Sequence, residues 1–163
     1  MRRALVIASL AIASPAAADD DAPPPRPAHG SIAAGGEFLL TGDEGARQRA
    51  FASIEFEPAG SRAGGVLSLH GFDAHHGGIA TAGFVFEAAA ARPRLAIDLH
   101  ADLGLDLDRV RPAAGGGVRA TVGIVGPLGV VLEANALAVI DGTDHSRFEL
   151  TTVAALAYIL HAR

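Results

Sequence analysis

From Ser31 to the end of the chain, apolar and polar residues alternate with a period of two. The cleanest stretch runs from Arg94 to Asp108. Leu95, Ile97, Leu99, Ala101, Leu103, Leu105 and Leu107 fall on one face, and Arg94, Ala96, Asp98, His100, Asp102, Gly104, Asp106 and Asp108 on the other. Strict alternation over seven apolar positions is the signature of a strand, because a helix repeats every 3.6 residues. Seven more segments read the same way: about Ile32–Thr41, Arg49–Glu57, Val66–Asp73, Ile79–Ala88, Val118–Val125, Leu128–Ile140 and Arg147–Leu160. Turn chemistry separates them: Gly42 to Gly45, Pro58 to Ser61, His75 to Gly78, Arg92-Pro93, Pro112 to Gly117, Gly126-Pro127 and Asp141 to Asp144. The alanine run Ala88–Ala91 is too short for an independent helix and reads as a strand end and turn.

Short connections favour antiparallel neighbours. The pattern therefore predicts an all-β fold, an eight-stranded antiparallel up-and-down β-barrel over residues 31–160. Alternation does not say which face points inward. A soluble barrel turns its apolar face in, while a membrane barrel turns it out to lipid and fills its interior with polar side chains. Three features favour the membrane. Glycines on the polar face (Gly35, Gly83, Gly104, Gly123, Gly129) lie among charges, as suits a narrow, filled lumen. The aromatics gather toward strand ends: Phe38, Phe72 and Phe148 with Phe51 nearby at one end, and Phe56, Phe84, Phe86 and Tyr158 toward the other. Six of these eight share the apolar face, a thin version of two interfacial girdles. An even strand number also brings both termini to one side.

The start of the chain adds a destination. Met1-Arg2-Arg3 is short and basic, the run from Ala4 to Ala13 is apolar apart from Ser9, Pro15 breaks it, and Ala16-Ala17-Ala18 offers a small-x-small cleavage site. Residues 1–18 read as a secretory signal peptide cut between Ala18 and Asp19. Residues 19–30 combine an acidic run with four prolines and read as a disordered linker; residues 161–163 form a polar tail. Loss of Arg2 and Arg3 leaves eleven arginines against 18 acids, a net charge of −7 with no lysine. Such a charge balance argues against nucleic acid as a partner. No cysteine is present, so no disulfide framework or thiol chemistry is available outside the cytoplasm.

Signal peptide, strand count, alternation and turns together make the chain resemble the small eight-stranded outer-membrane barrels of Gram-negative bacteria, the OmpA/OmpX type. The resemblance is architectural and covers roughly residues 31–160. It implies an outer-membrane location, contact with outer-membrane lipid and a monomer, and nothing about activity. On that topology the connections after strands one, three, five and seven face outward. The longest of them is expected around Asp108–Gly116. The chain ends Tyr158-Ile159-Leu160-His161-Ala162-Arg163, without the terminal aromatic usual in that family. The alternative location is the periplasm, for a soluble barrel that binds a small apolar ligand.

Candidate chemistry concentrates in the polar face. Arg49, Arg94, Arg119 and Arg147 are expected to neutralise the acids Glu37, Glu55, Glu87, Asp98, Asp102, Glu133 and Glu149, with His100 among them. Ser68 and His70, with Glu55 or Glu87 nearby, have the residue types of a lumen-site lipid hydrolase but lack a nucleophile elbow. Asp73, His75 and His76, then Asp141, Asp144 and His145, with Asp106 and Asp108, offer metal-ligand types spread over separate loops. None has the spacing of a metal motif. Gly115-Gly116-Gly117 lacks the lysine and helix of a P-loop, so no cofactor is expected. The reading is a non-enzymatic barrel with its lumen filled by side chains, in a structural or surface-interaction role.

Overall fold

The computed structural model describes residues 26–41, 47–73, 77–91, 95–140 and 146–161. The cleavage pair Ala18 and Asp19 lies outside them, as do Arg94, His75, His76, Asp141, Asp144 and His145. Eight strands form: β1 His29–Leu39, β2 Arg47–Glu57, β3 Ala63–Phe72, β4 Ile79–Ala91, β5 Leu95–Asp106, β6 Arg111–Val125, β7 Leu128–Val139 and β8 Arg147–His161. Each pairs antiparallel with the next, and β1 closes on β8 over the full length of β1, from His29↔His161 to Leu39↔Thr151. The result is a closed barrel with no sheet edge.

The pleat sends alternate residues to opposite sides, and here the apolar set points out. Phe84 is 80 % exposed, Leu156 74 % and Leu103 72 %, whereas Glu37, Glu87, Asp98 and Arg119 are at most 1 % exposed. Among the described residues, the outward strand positions hold no Asp, Glu, Arg or His. Gln48, Thr152 and Tyr158 are the polar side chains on that surface. Phe38, Phe56, Phe84, Phe86, Phe148 and Tyr158 all stand outward. Phe51 does not. It is buried in the lumen, its ring 5.2 Å from that of His70. It shares the parity of Arg49 and Ser53, and it packs with Ala33, Val131, Val153, Ala155 and Ala157.

Several strand limits differ from the alternation pattern. Ala88–Ala91 continues β4, with a register shift between Glu87 and Ala89 that absorbs one residue as a bulge. Pro112 to Gly117 is strand, not turn, so the β5–β6 connection shrinks to residues 107–110. The glycines there are demanded by close packing: a Cβ on Gly117 would lie 2.9 Å from His100 Nε2, and one on Gly115 2.6 Å from a Leu137 methyl. The barrel also begins earlier than Ser31. His29 pairs with Glu57 and faces the lumen, so the end of the linker segment is sheet.

A second bulge shapes the interior. The β2–β3 register shifts between Ala50 and Ala52, and Gly71 takes φ +65, the left-handed conformation that glycine adopts without a steric penalty. A Cβ there would lie 2.6 Å from the Arg49 guanidinium carbon. The bulge thus makes the space that this arginine occupies.

Glycine on the lumen side and glycine on the outer side have different consequences. A Cβ on Gly83 would overlap Asp102 Oδ1 and the Ala101 carbonyl, while one on Gly65 would meet only the Gly83 carbonyl at 3.8 Å. Gly83→Ala is therefore expected to destabilise the barrel by about 1–3 kcal/mol through overpacking. Gly65→Ala is expected to be neutral or slightly stabilising. Urea unfolding midpoints in detergent, followed by the shift in gel migration between folded and heated protein, measure both.

Candidate functional site

The lumen is where the polar side chains converge, and three groups of contacts organise it. At the end carrying the β1–β2, β3–β4, β5–β6 and β7–β8 connections (the loop end), Arg147 of β8 bridges Asp106 of β5 and Glu149 of β8. Its Nη2 is 3.4 Å from Asp106 Oδ2 and its Nε 2.8 Å from Glu149 Oε1. Arg49 Nη2 donates to the other Glu149 oxygen at 2.7 Å and lies 3.7 Å from Glu37 Oε2. His70 Nδ1 lies 3.2 Å from Glu37 Oε1. The chain Asp106–Arg147–Glu149–Arg49–Glu37–His70 thus joins β5, β8, β2, β1 and β3 through side chains. An apolar cluster of Ile79, Ala113, Leu137 and Val139 packs inside the barrel as well.

The middle group centres on Arg119 of β6, which is 0 % exposed. Its Nε donates to Glu133 Oε2 of β7 at 2.5 Å, and its Nη1 to Glu55 Oε2 of β2 at 2.8 Å. Glu133 is its neighbour in the ladder, but Glu55 belongs to the wall four strands away in either direction. One guanidinium therefore ties opposite sides of the barrel. Asn135 Nδ2 donates to Glu133 Oε1 at 2.6 Å, and His100 Nε2 stands 3.8 Å from the same oxygen. His100 Nδ1 is 2.6 Å from Asp102 Oδ2. Buried carboxylates at this density persist only with cations and donors held against them.

The third group is at the opposite end, where β1 begins and β8 finishes (the terminal end). Glu87 takes the guanidinium of Arg26, and Asp98 and Glu57 are buried near the ends of their strands on that side.

Of the residues expected in the lumen, Glu37, Arg49, Glu55, Glu87, Asp98, His100, Asp102, Arg119, Glu133, Arg147 and Glu149 all face the interior; Arg94 lies outside the described residues. Four members lie outside the charge network expected from sequence: Asp106 and His70, which the sequence offered only as a metal-ligand and a hydrolase candidate, and Asn135 and Arg26. The first three share the lumen parity of their strands, so alternation held the signal. Arg26 sits in the proline-rich segment, where no periodicity marks it.

The hydrolase reading meets a different arrangement. The acid beside His70 is Glu37 of β1, while Glu55 is bound to Arg119 and Glu87 to Arg26. A metal reading gains no cluster: among the described residues, no group of three or more His, Asp or Glu is placed to hold an ion. Asp108 accepts the Gly77 N–H at 2.7 Å, and Asp106 is engaged with Arg147.

Removing one partner of a buried ionic group leaves the others uncompensated. Arg119→Ala is therefore expected to cost about 3–5 kcal/mol, with the barrel failing to refold in marginal detergents. Arg119→Met combined with Glu55→Gln and Glu133→Gln removes charge of both signs and is expected to recover most of that loss. Refolding yield and urea midpoint distinguish the two. No protein-family model matches the chain, and a search of curated protein sequences finds no match.

Proposed function

We infer that this protein is a non-enzymatic outer-membrane β-barrel with a structural or surface-interaction role. One observation carries the reading: among the described residues, the outward strand positions are largely apolar and carry no charged side chain, and the charged groups of the strands are turned inward. Soluble monomers rarely expose contiguous apolar patches beyond a few hundred Å². Here exposed Leu, Ile, Val and Phe side chains ring the barrel, including Leu67, Phe84, Leu103, Val118, Leu132 and Leu156. Lipid is the solvent in which that arrangement is favourable.

Strand length fits the same setting. A tilted membrane strand needs about 9–11 residues. These strands run from 10 residues in β3 to 15 in β6 and β8. The outward aromatics Phe38 and Phe148 stand toward the loop end, and Phe56, Phe84, Phe86 and Tyr158 toward the terminal end, as interfacial girdles do. In this reading residues 1–18 direct export and are removed after Ala18, and the barrel inserts as a monomer with outer-membrane lipid as its partner. Bulk transport is disfavoured, because an eight-stranded interior is just wide enough for its side chains and Arg119 bridges it. The polar, charged lumen is likewise a poor host for a small apolar ligand, which weighs against a soluble periplasmic binding barrel.

Cell fractionation tests the location. The mature protein is expected in the outer-membrane fraction, with unheated samples migrating differently from heated ones; recovery in the soluble periplasm would overturn the reading. Leu132 lies near the middle of β7 and points outward. Leu132→Arg is expected to cost about 2–4 kcal/mol of folding free energy in lipid vesicles if that site meets the bilayer core.

A further inference from the structure

The segment leading into β1 is attached to the barrel at two places. Arg26 lies before the first strand, yet its side chain enters the terminal end and Nη1 donates to Glu87 Oε1 of β4. The arginine is 38 % exposed and the carboxylate 1 %, so the cation lies over the acid at the mouth. The carbonyl of the same residue accepts the N–H of Gly60, in the β2–β3 turn, at 2.9 Å. The Glu87 N–H donates to the Arg62 carbonyl of that connection at 2.7 Å. One residue of the pre-strand segment thus touches a turn of the rim and the lumen face of β4.

We propose that residues 26–28 are a strap across the terminal mouth, clasped by Arg26 on Glu87 and able to release while the barrel wall stays closed. The wall and the strap are held differently. Every strand is laddered to two neighbours around the closed sheet. The strap is held by a half-exposed guanidinium and a backbone bond to a turn. Segments with few buried contacts open locally at far lower free energy than the global fold. The clasp has a clear chemical basis: a carboxylate this buried requires a cation, and Arg26 supplies one from outside the sheet. Released, the strap would expose Glu87 to water and free the chain N-terminal to it from the barrel rim. The proposal needs the barrel alone, so it stands or falls independently of the membrane location.

Amide hydrogen exchange on the mature chain refolded in detergent micelles, followed by NMR, tests it. The Gly60 amide is expected to be protected in the unmodified protein. Arg26→Ala is expected to speed its exchange by about tenfold, the effect of losing one charge-assisted hydrogen bond, with amides of β6 and β7 unchanged. Arg26→Lys keeps the cation and is expected to restore most of the protection. Unchanged Gly60 exchange in Arg26→Ala overturns the proposal. So does an equal rise in β6 and β7, which would make Arg26 part of what holds the barrel together. A lysine variant that exchanges as fast as the alanine variant removes the ionic clasp. A barrel that behaves as expected here but fractionates with the soluble periplasm would keep the strap and lose the membrane reading.

Discussion

The contact between Arg119 and Glu55 spans the lumen, and much of the interior is arranged around it. β6 and β2 stand on opposite walls, and a guanidinium between them fixes how wide the barrel is at that level. The same group holds Glu133, which in turn takes Asn135 and faces His100. Nε and Nη1 of this guanidinium hold carboxylates on two walls, while its Nη2 has no hydrogen-bond partner among the described residues. A group that crosses a narrow interior must be given room. The glycines supply the room: Gly83 yields space to Asp102, Gly117 to His100 and Asn135, and Gly71 to Arg49. Their absent side chains are as much a part of the network as the charges.

Charge inside and hydrocarbon outside invert the usual order of a folded chain. In water the outward Leu and Phe residues would be a standing cost, and the inward acids would still have to be desolvated. In a bilayer the first term changes sign, and the second is met by arginines drawn from several strands. The sheet itself is indifferent to the choice, since its ladder closes on itself and leaves no strand edge unpaired. What ties the fold to its solvent is therefore the side-chain pattern alone. The apolar residues inside the lumen, Phe51 with its alanine and valine neighbours and the Ile79–Leu137 cluster, fill the interior between the ionic groups.

The terminal end shows how far the polar logic extends beyond the strands. Glu87 belongs to β4 by register, but the cation that meets it comes from a segment whose prolines and acids mark it as linker. The sheet begins at His29, two residues before the border at Ser31 that composition suggests, with Arg26 just ahead of it. Composition is a poor guide to such a boundary, because one well-placed arginine can order a segment that has no core of its own.

Much was legible from the chain alone. Alternation between Arg94 and Asp108 announces a strand, and its repetition announces eight, because the period of two is a local property of an extended backbone. Closure into one antiparallel barrel follows from the short connections. The parity of Glu37, Arg49, Glu55, Arg119, Glu133 and Glu149 likewise places them on one face. Other features needed the tertiary structure. Pro112 to Gly117 looks like a turn until the partners of its glycines are seen, and a bulge at Glu87 carries the alanine run on as strand. Which face turns inward, favoured by the glycines and aromatics but not fixed by alternation, is seen only in the closed barrel: the face bearing glycine, serine and paired charge lines the lumen, while Leu and Phe go out. Which acid meets which arginine was decided there too. Ladder neighbours such as Glu37 and Arg49 can be inferred from register, but Arg119 with Glu55, and Arg26 with Glu87, are separated by 64 and 61 residues and meet only because the sheet curls back on itself.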